Sequence, residues 1–213
     1  MAKIWQKNNL EASEIAKIVE QFTVGKDREL DTVLAKFDVL GSLAHIQMLA
    51  EVGLMEKNEL PILQQELKAI YQQIIDNKFE LHQDSEDIHS EIEFRLTEKV
   101  GDIGKKIHAG RSRNDQVLVD IKLYSRTKIK EVVEQTDVLF KTLIKLAQQY
   151  KDTLLPGYTH LQIAMPSSFG LWFSAYAESL TDDIETVFAA YNLANKNPLG
   201  SGAGYGSSFP LNR

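Results

Sequence analysis

Three short runs of this 213-residue chain gather side chains able to bind or transform a small anion. The first is His108-Ala109-Gly110-Arg111-Ser112-Arg113-Asn114-Asp115. Ser112 and Asp115 have the spacing of a capping box, a hydroxyl at the cap and a carboxylate three residues on. The amides at a helix start point outward with partial positive charge. Arg111 and Arg113 add guanidinium forks suited to a carboxylate or a phosphate. The same residues also read as a well-capped helix with two solvated arginines. The second run is Pro156-Gly157-Tyr158-Thr159-His160-Leu161-Gln162. His160 is its one side chain able to transfer a proton near neutral pH, with Thr159 and Gln162 beside it as hydrogen-bonding groups. The competing reading is a histidine that ties a loop together.

The third run, Glu86-Asp87-Ile88-His89-Ser90-Glu91-Ile92-Glu93, places His89 and Glu93 on one helix face at i, i+4. Two metal ligands share that spacing, but no third ligand matches it. A polar face near a pocket, or a solvated acidic face, is the better reading. His45 sits in an apolar helical stretch and reads as a structural residue, and His82 carries no signal. Near the end, Gly200-Ser201-Gly202-Ala203-Gly204-Tyr205-Gly206 resembles a phosphate-binding loop in composition only. It lacks the lysine after the last glycine and a preceding strand. A flexible connection or an anion-binding backbone remains.

The elements that must position these groups read as helices. Ile15, Ile18, Val19 and Phe22 form one stripe, and Leu30, Val33, Leu34, Phe37, Leu40, Ala44 and Met48 continue the period until Gly53. Asn58 is placed to cap the next helix, with Pro61 in its first turn and Leu63, Leu67, Ile70, Ile74 and Ile75 on its buried face. Ser85 is placed to cap a helix carrying Ile88, Ile92 and Leu96, ended by Gly101. From Ser112 to Lys151 there is neither proline nor glycine. Val117, Ile121, Val132, Leu139, Leu143 and Leu146 recur at helical steps, so about 40 residues predict a helix near ~60 Å long. A second long helix is expected from Pro166 to about Asn192, after a connection of about 14 residues, a length often functional. No alternating strand pattern competes.

The expected fold is therefore all-α: a short-helix domain over residues 1–110, then the first long helices of a central bundle over 111–213, incomplete. Two such helices cannot bury their apolar faces against 110 residues alone, so oligomerisation is expected. A simple coiled-coil dimer is disfavoured because heptads are not strictly kept. Net charge is −6 with both signs interspersed, which gives no general reason to expect nucleic acid or an anionic membrane as partner. There is no cysteine, hence no disulfide or thiolate metal site. Met1-Ala2-Lys3-Ile4-Trp5-Gln6 lacks the apolar core of a signal peptide, and no apolar run approaches the roughly 20 residues of a membrane span. A cytoplasmic protein is the expectation.

Taken together these segments resemble the argininosuccinate lyase family of the fumarase/aspartase superfamily. Gly110-Arg111-Ser112-Arg113-Asn114-Asp115-Gln116-Val117 is similar to its distinguishing sequence, Pro156 to Gln162 to its second block, and Glu86-Asp87-Ile88-His89 and Pro198-Leu199-Gly200-Ser201-Gly202-Ala203 to further stretches. The resemblance spans essentially the whole chain. It implies a homotetramer with active sites drawn from three subunits, and reversible cleavage of argininosuccinate to arginine and fumarate with no cofactor or metal. It also implies His160 as the acid/base residue and Asn114 and Thr159 as substrate-binding residues, with Arg111, Ser112, Arg113, His89 and Gln162 lining the same pocket. Two departures stand out. The family's substrate-binding serine is matched by Phe22-Thr23-Val24-Gly25-Lys26-Asp27-Arg28, with Asp27 or a neighbour at its place and Thr23 as a substitute. The family's third block, GSSxMPxKxN with its catalytic serine, lies beyond Arg213. Little or no activity is therefore expected of these 213 residues alone. The alternative is a non-catalytic structural protein of the same fold.

Overall fold

The computed structural model describes residues 25–82 and 85–213, together with Ile18 and Phe22. The stripe expected over residues 15–22, and the side chains of Thr23 and Asp27, fall largely outside what is described. The chain forms two compact units, one from the residues up to Tyr124 with Asn197–Arg213, the other Ser125–Lys196.

The first unit holds α1 (Asp27–Glu51), α2 (Leu60–Ile75), α3 (Ile88–Val100), a 3-10 helix (Gly101–His108) and the first turns of α4 (Arg113–Gln149). Its core is Val39, Ile46 and Leu49 from α1, Leu63 and Leu67 from α2, Ile88, Ile92 and Leu96 from α3, and Ile107. Within each helix these residues recur at steps of three, four or seven, so each presents one continuous apolar stripe. Each fully buried leucine or isoleucine contributes about 1.5–3 kcal/mol relative to exposure. Leu30, Val33 and Leu40 of the expected α1 stripe stay exposed, because the buried face turns instead on Ala35, Val39, Ile46 and Leu49. By length and composition Glu29–Glu51 could cross a membrane, but Val39, Ile46 and Leu49 are wholly inside the core, which marks a core helix.

The helix ends differ from expectation in two places. Asp87, not Ser85, caps α3, accepting the Ser90 amide at 2.8 Å; the Ser85 hydroxyl donates instead to the buried Glu91 carboxylate. Glu59, not Asn58, precedes α2. Its carboxylate accepts the Lys106 ammonium at 2.6 Å and the Glu56 amide at 3.2 Å. Gly101 ends α3 as read from sequence, with φ 70°, a left-handed conformation that favours glycine.

The second unit corrects the sequence reading. The connection between the long helices is a two-stranded antiparallel hairpin, β1 (Leu154–Thr159) and β2 (Gln162–Ser168). Pro166 does not open a helix: it sits in β2 opposite Pro156. A two-stranded ribbon has only edges, where prolines without an amide donor are tolerated. The helix α5 then runs Phe169–Ala194, capped by Ser168, whose hydroxyl accepts the Leu171 amide at 3.1 Å. Along these helices Val132, Val138, Leu139, Leu171, Trp172, Tyr176 and Phe188 are exposed.

Candidate functional site

The first unit carries an open cavity of about 570 Å³ lined by His89, Ser90, Glu93, His108, Ser112, Arg113 and Asn114. It lies where the start of α4 meets one face of α3. Of the residues singled out in sequence, His89, Ser112, Arg113 and Asn114 are brought together here. Ser90, Glu93 and His108 join them without having been assigned a role. The signal for Glu93 was its i, i+4 spacing from His89, read above only as a metal pair.

The two arginines do different work. Arg113 Nη2–H donates to Ser90 Oγ at 2.5 Å, and Nη1 lies 3.0 Å from Glu86 and 3.2 Å from Asp87. It ties the start of α4 to the cap of α3 while edging the cavity. Arg111 is buried and donates to Ser42 Oγ at 3.1 Å; it does not line the cavity. It faces Asp38 and Asp120 inside the unit.

The capping box forms in part. Asp115 Oδ1 accepts the Ser112 amide at 2.8 Å, while Ser112 Oγ accepts the Asn114 amide at 3.3 Å. Asp115 is completely buried, and its other oxygen accepts the amides of Gly200 and Gly202 at 2.8 and 2.9 Å. The glycine-rich segment is thus an anion-binding backbone, and its anion is the protein's own carboxylate. Gly200 and Gly202 adopt φ of 90° and 60°, which lets successive amides converge on one oxygen.

Behind the cavity His89 Nδ1 lies 2.6 Å from Asp38 Oδ1 and 3.9 Å from Asp120 Oδ2. Burial drives the His89 pKa down, but the Asp38 hydrogen bond and charge raise it above the ordinary histidine value. Burial works against Asp38's charge too; the His89 hydrogen bond and the charges of His89 and Arg111 hold it below the usual carboxylate range. Asp120 goes the other way: burial, then the Asp38 charge, push it up to about 9. Asp38, His89 and Asp120 are the one set among the described residues whose ligand atoms, within 4.8 Å of one another, could hold a metal. The fixed positive charge of Arg111 beside them opposes a cation. Burial lowers the His108 pKa. His45 is structural as expected: its Nε2 meets the Ala109 carbonyl at 2.8 Å, and burial drops its pKa to about 4.

Thr159, His160 and Gln162 belong to the second unit. Thr159 pairs with Gln162 at the end of the hairpin, and His160 and Leu161 make its two-residue turn with φ of 48° and 63°. Both central residues of such a turn need left-handed backbone, a place usually filled by Asn-Gly. Holding a histidine and a leucine there costs conformational energy, and strain of this kind concentrates at functional segments. Leu161 is 98% exposed.

A family model described as "Lyase" matches residues 3–213. Argininosuccinate lyase of Bacteroides fragilis is 59% identical over 211 residues, 99% of this chain and 46% of that protein. Argininosuccinate lyase of Neisseria meningitidis is 41% identical over 201 residues, 93% of this chain and 43% of that protein. Among solved structures, an EDDS lyase in complex with formate aligns with a TM-score of 0.74 at 24% identity, covering 91% of this chain and 38% of that one. A fumarate lyase:delta crystallin from Brucella melitensis aligns at 0.71 and 16% identity, covering 87% and 46%. The chain belongs to this lyase family, within the fumarase/aspartase superfamily. Its relatives named above at high identity are argininosuccinate lyases, and the chain spans about half the length of the curated relatives it matches.

Proposed function

We propose that this chain is part of a cytoplasmic argininosuccinate lyase that reversibly eliminates fumarate from argininosuccinate to give arginine, the last step of arginine biosynthesis. The observation that carries the reading is the cavity where Ser112 and Asn114, at the start of α4, stand beside His89. Neutral donors and a charged imidazole there suit the carboxylates of a succinyl group. In the reaction a base takes a proton from the carbon beside a carboxylate. The freed electron pair forms the carbon–carbon double bond of fumarate as the carbon–nitrogen bond breaks. The guanidino nitrogen leaves with its bonding pair and takes up a proton, giving arginine. His160, at the strained hairpin tip, is the acid/base residue, with Thr159 and Gln162 beside it binding substrate. The substrate pocket closes around Asn114 and Arg113 of one subunit and His160 of another, within a homotetramer whose contacts cover the apolar faces of α4 and α5. Exposed Leu171, Trp172 and Phe188 support that assembly.

The test is turnover by the full-length protein, with argininosuccinate as substrate and fumarate followed by its ultraviolet absorbance. His160→Asn abolishes fumarate release while the tetramer persists by size-exclusion with light scattering. Undiminished turnover in that variant overturns the assignment of His160, and no turnover in the wild type overturns the proposed activity.

A further inference from the structure

The wall behind His89 holds more ionisable groups than a histidine needs for orientation. Asp38 and Asp120 are 2% and 0% exposed, and Asp38 Oδ2 and both Asp120 oxygens have no hydrogen-bond partner among the described residues. Two ionised carboxylates so placed repel each other and leave three acceptors stranded away from water, an arrangement that costs far more than a paired one. A single proton removes the conflict, because one carboxyl then donates to the other, as in shared-proton carboxyl pairs. We propose that Asp38 and Asp120 share one proton at neutral pH and act as positioning residues, holding His89 by Nδ1–H in its cationic form so that it presents positive charge to the cavity.

Charge bookkeeping supports this. Around the cluster of Asp38, His89, Arg111 and Asp120 stand Asp31 from α1, Asp87 and Glu93 from the cap and first turns of α3, His108 from the 3-10 helix and Asp115 from the first turn of α4. With Asp120 protonated, Asp38 alone faces His89 and Arg111, so the inner cluster of four carries a net positive charge toward an anionic ligand. With Asp120 ionised, the cluster is neutral and the attraction for an anion is lost. The direction of each pKa described above agrees: Asp120 up, Asp38 down, His89 up. The inference rests on the proposed reading only for the identity of the anion.

The test is titration of the full chain carrying ¹³C-carboxyl aspartate and ¹⁵N-imidazole histidine, followed by NMR. One aspartate carboxyl should stay protonated through neutral pH and titrate near 9, and this signal should vanish in Asp120→Asn. That variant mimics the protonated acid, so His89 keeps its cationic nitrogen shifts and its response to added fumarate. Asp38→Asn should lose both. Titration of Asp120 in the ordinary carboxylate range, or a neutral His89 at pH 7 in the wild type, overturns the proposal. So does stoichiometric Zn²⁺ uptake that depends on all three side chains, since it would make the cluster a metal site. The wild-type titration decides even where Asp38→Asn fails to fold. Because these readouts need no turnover, they stand or fall separately from the proposed activity.

Discussion

Replacing Asp115 removes the one carboxylate on which three backbone amides converge. Ser112 N, Gly200 N and Gly202 N lie 2.8, 2.8 and 2.9 Å from its oxygens, and the side chain is wholly buried. A hydrogen bond to a charged group contributes about 1.5–3 kcal/mol, and each buried donor left unpaired costs about 1–3 kcal/mol. The three bonds share one acceptor group and do not add independently. Asp115→Ala is therefore expected to destabilise the first unit by about 3–5 kcal/mol, the range for breaking a buried ionic contact. Asp115→Asn keeps the shape and one acceptor oxygen but aims an NH₂ at an amide, so its cost should be about 1–3 kcal/mol.

The assay is urea denaturation of both variants combined with hydrogen exchange at named amides. The loss of protection should be local. The amides of Gly200 and Gly202 should lose protection first and most, while those of Leu67 and Ile92 in the core keep theirs until global unfolding. Equal loss everywhere would mean a general packing defect, and unchanged exchange at Gly200 and Gly202 would show that Asp115 does not hold the loop.

Three further outcomes follow. His45 has a folded-state pKa near 4 against an ordinary 6.5; the unfolded chain binds its proton more readily, so the stabilisation is complete above about pH 6.5 and is lost as pH falls through 4. His45→Gln should flatten that acid limb of a urea-midpoint profile by up to about 3 kcal/mol. Leu67→Ala, at 0% exposure, should cost about 2–5 kcal/mol in denaturant unfolding. Gly170→Ala would bring a Cβ within 2.5 Å of Lys151 Cα and 2.7 Å of the Ala147 carbonyl, so melting of the second unit should drop; an unchanged melting temperature refutes the close approach.

The helical part of the fold was legible because its core obeys one period. Leu63, Leu67 and Ile70, or Ile88, Ile92 and Leu96, can be read directly from spacing. The hairpin was not, because Leu154 to Ser168 shows no clean alternation and two prolines, which argue against a strand until one sees them paired on a ribbon with no interior. Ser112, Asn114 and His89 were legible from residue type and position. Asp38 and Asp120 were missed although each is a carboxylate within an otherwise helical, partly apolar stretch. A charged residue at a core-facing step is a signal in itself, but its partners lie 51 and 31 residues away along the chain from His89 and become evident only when α1, α3 and α4 are brought together.

The distribution of charge around the cavity bears on how an anion is selected. Of the two arginines whose types first suggested anion binding, Arg111 faces buried aspartates and Arg113 is held by Glu86 and Asp87. The helix-start carboxylate, Asp115, already occupies the amides of Ser112, Gly200 and Gly202. Besides Arg113, the cavity is lined by Asn114, Ser112, Ser90, the imidazoles of His89 and His108, and the Glu93 carboxylate. A site of this kind discriminates by hydrogen-bond geometry and by titratable groups, not by a fixed guanidinium clamp. In this reading Arg113→Lys should loosen the joint between α3 and α4, because a point charge cannot span Ser90, Glu86 and Asp87 together. Fumarate binding, followed by the NMR shifts of His89, should change less than in Asn114→Ala. The reverse order would return the anion to Arg113.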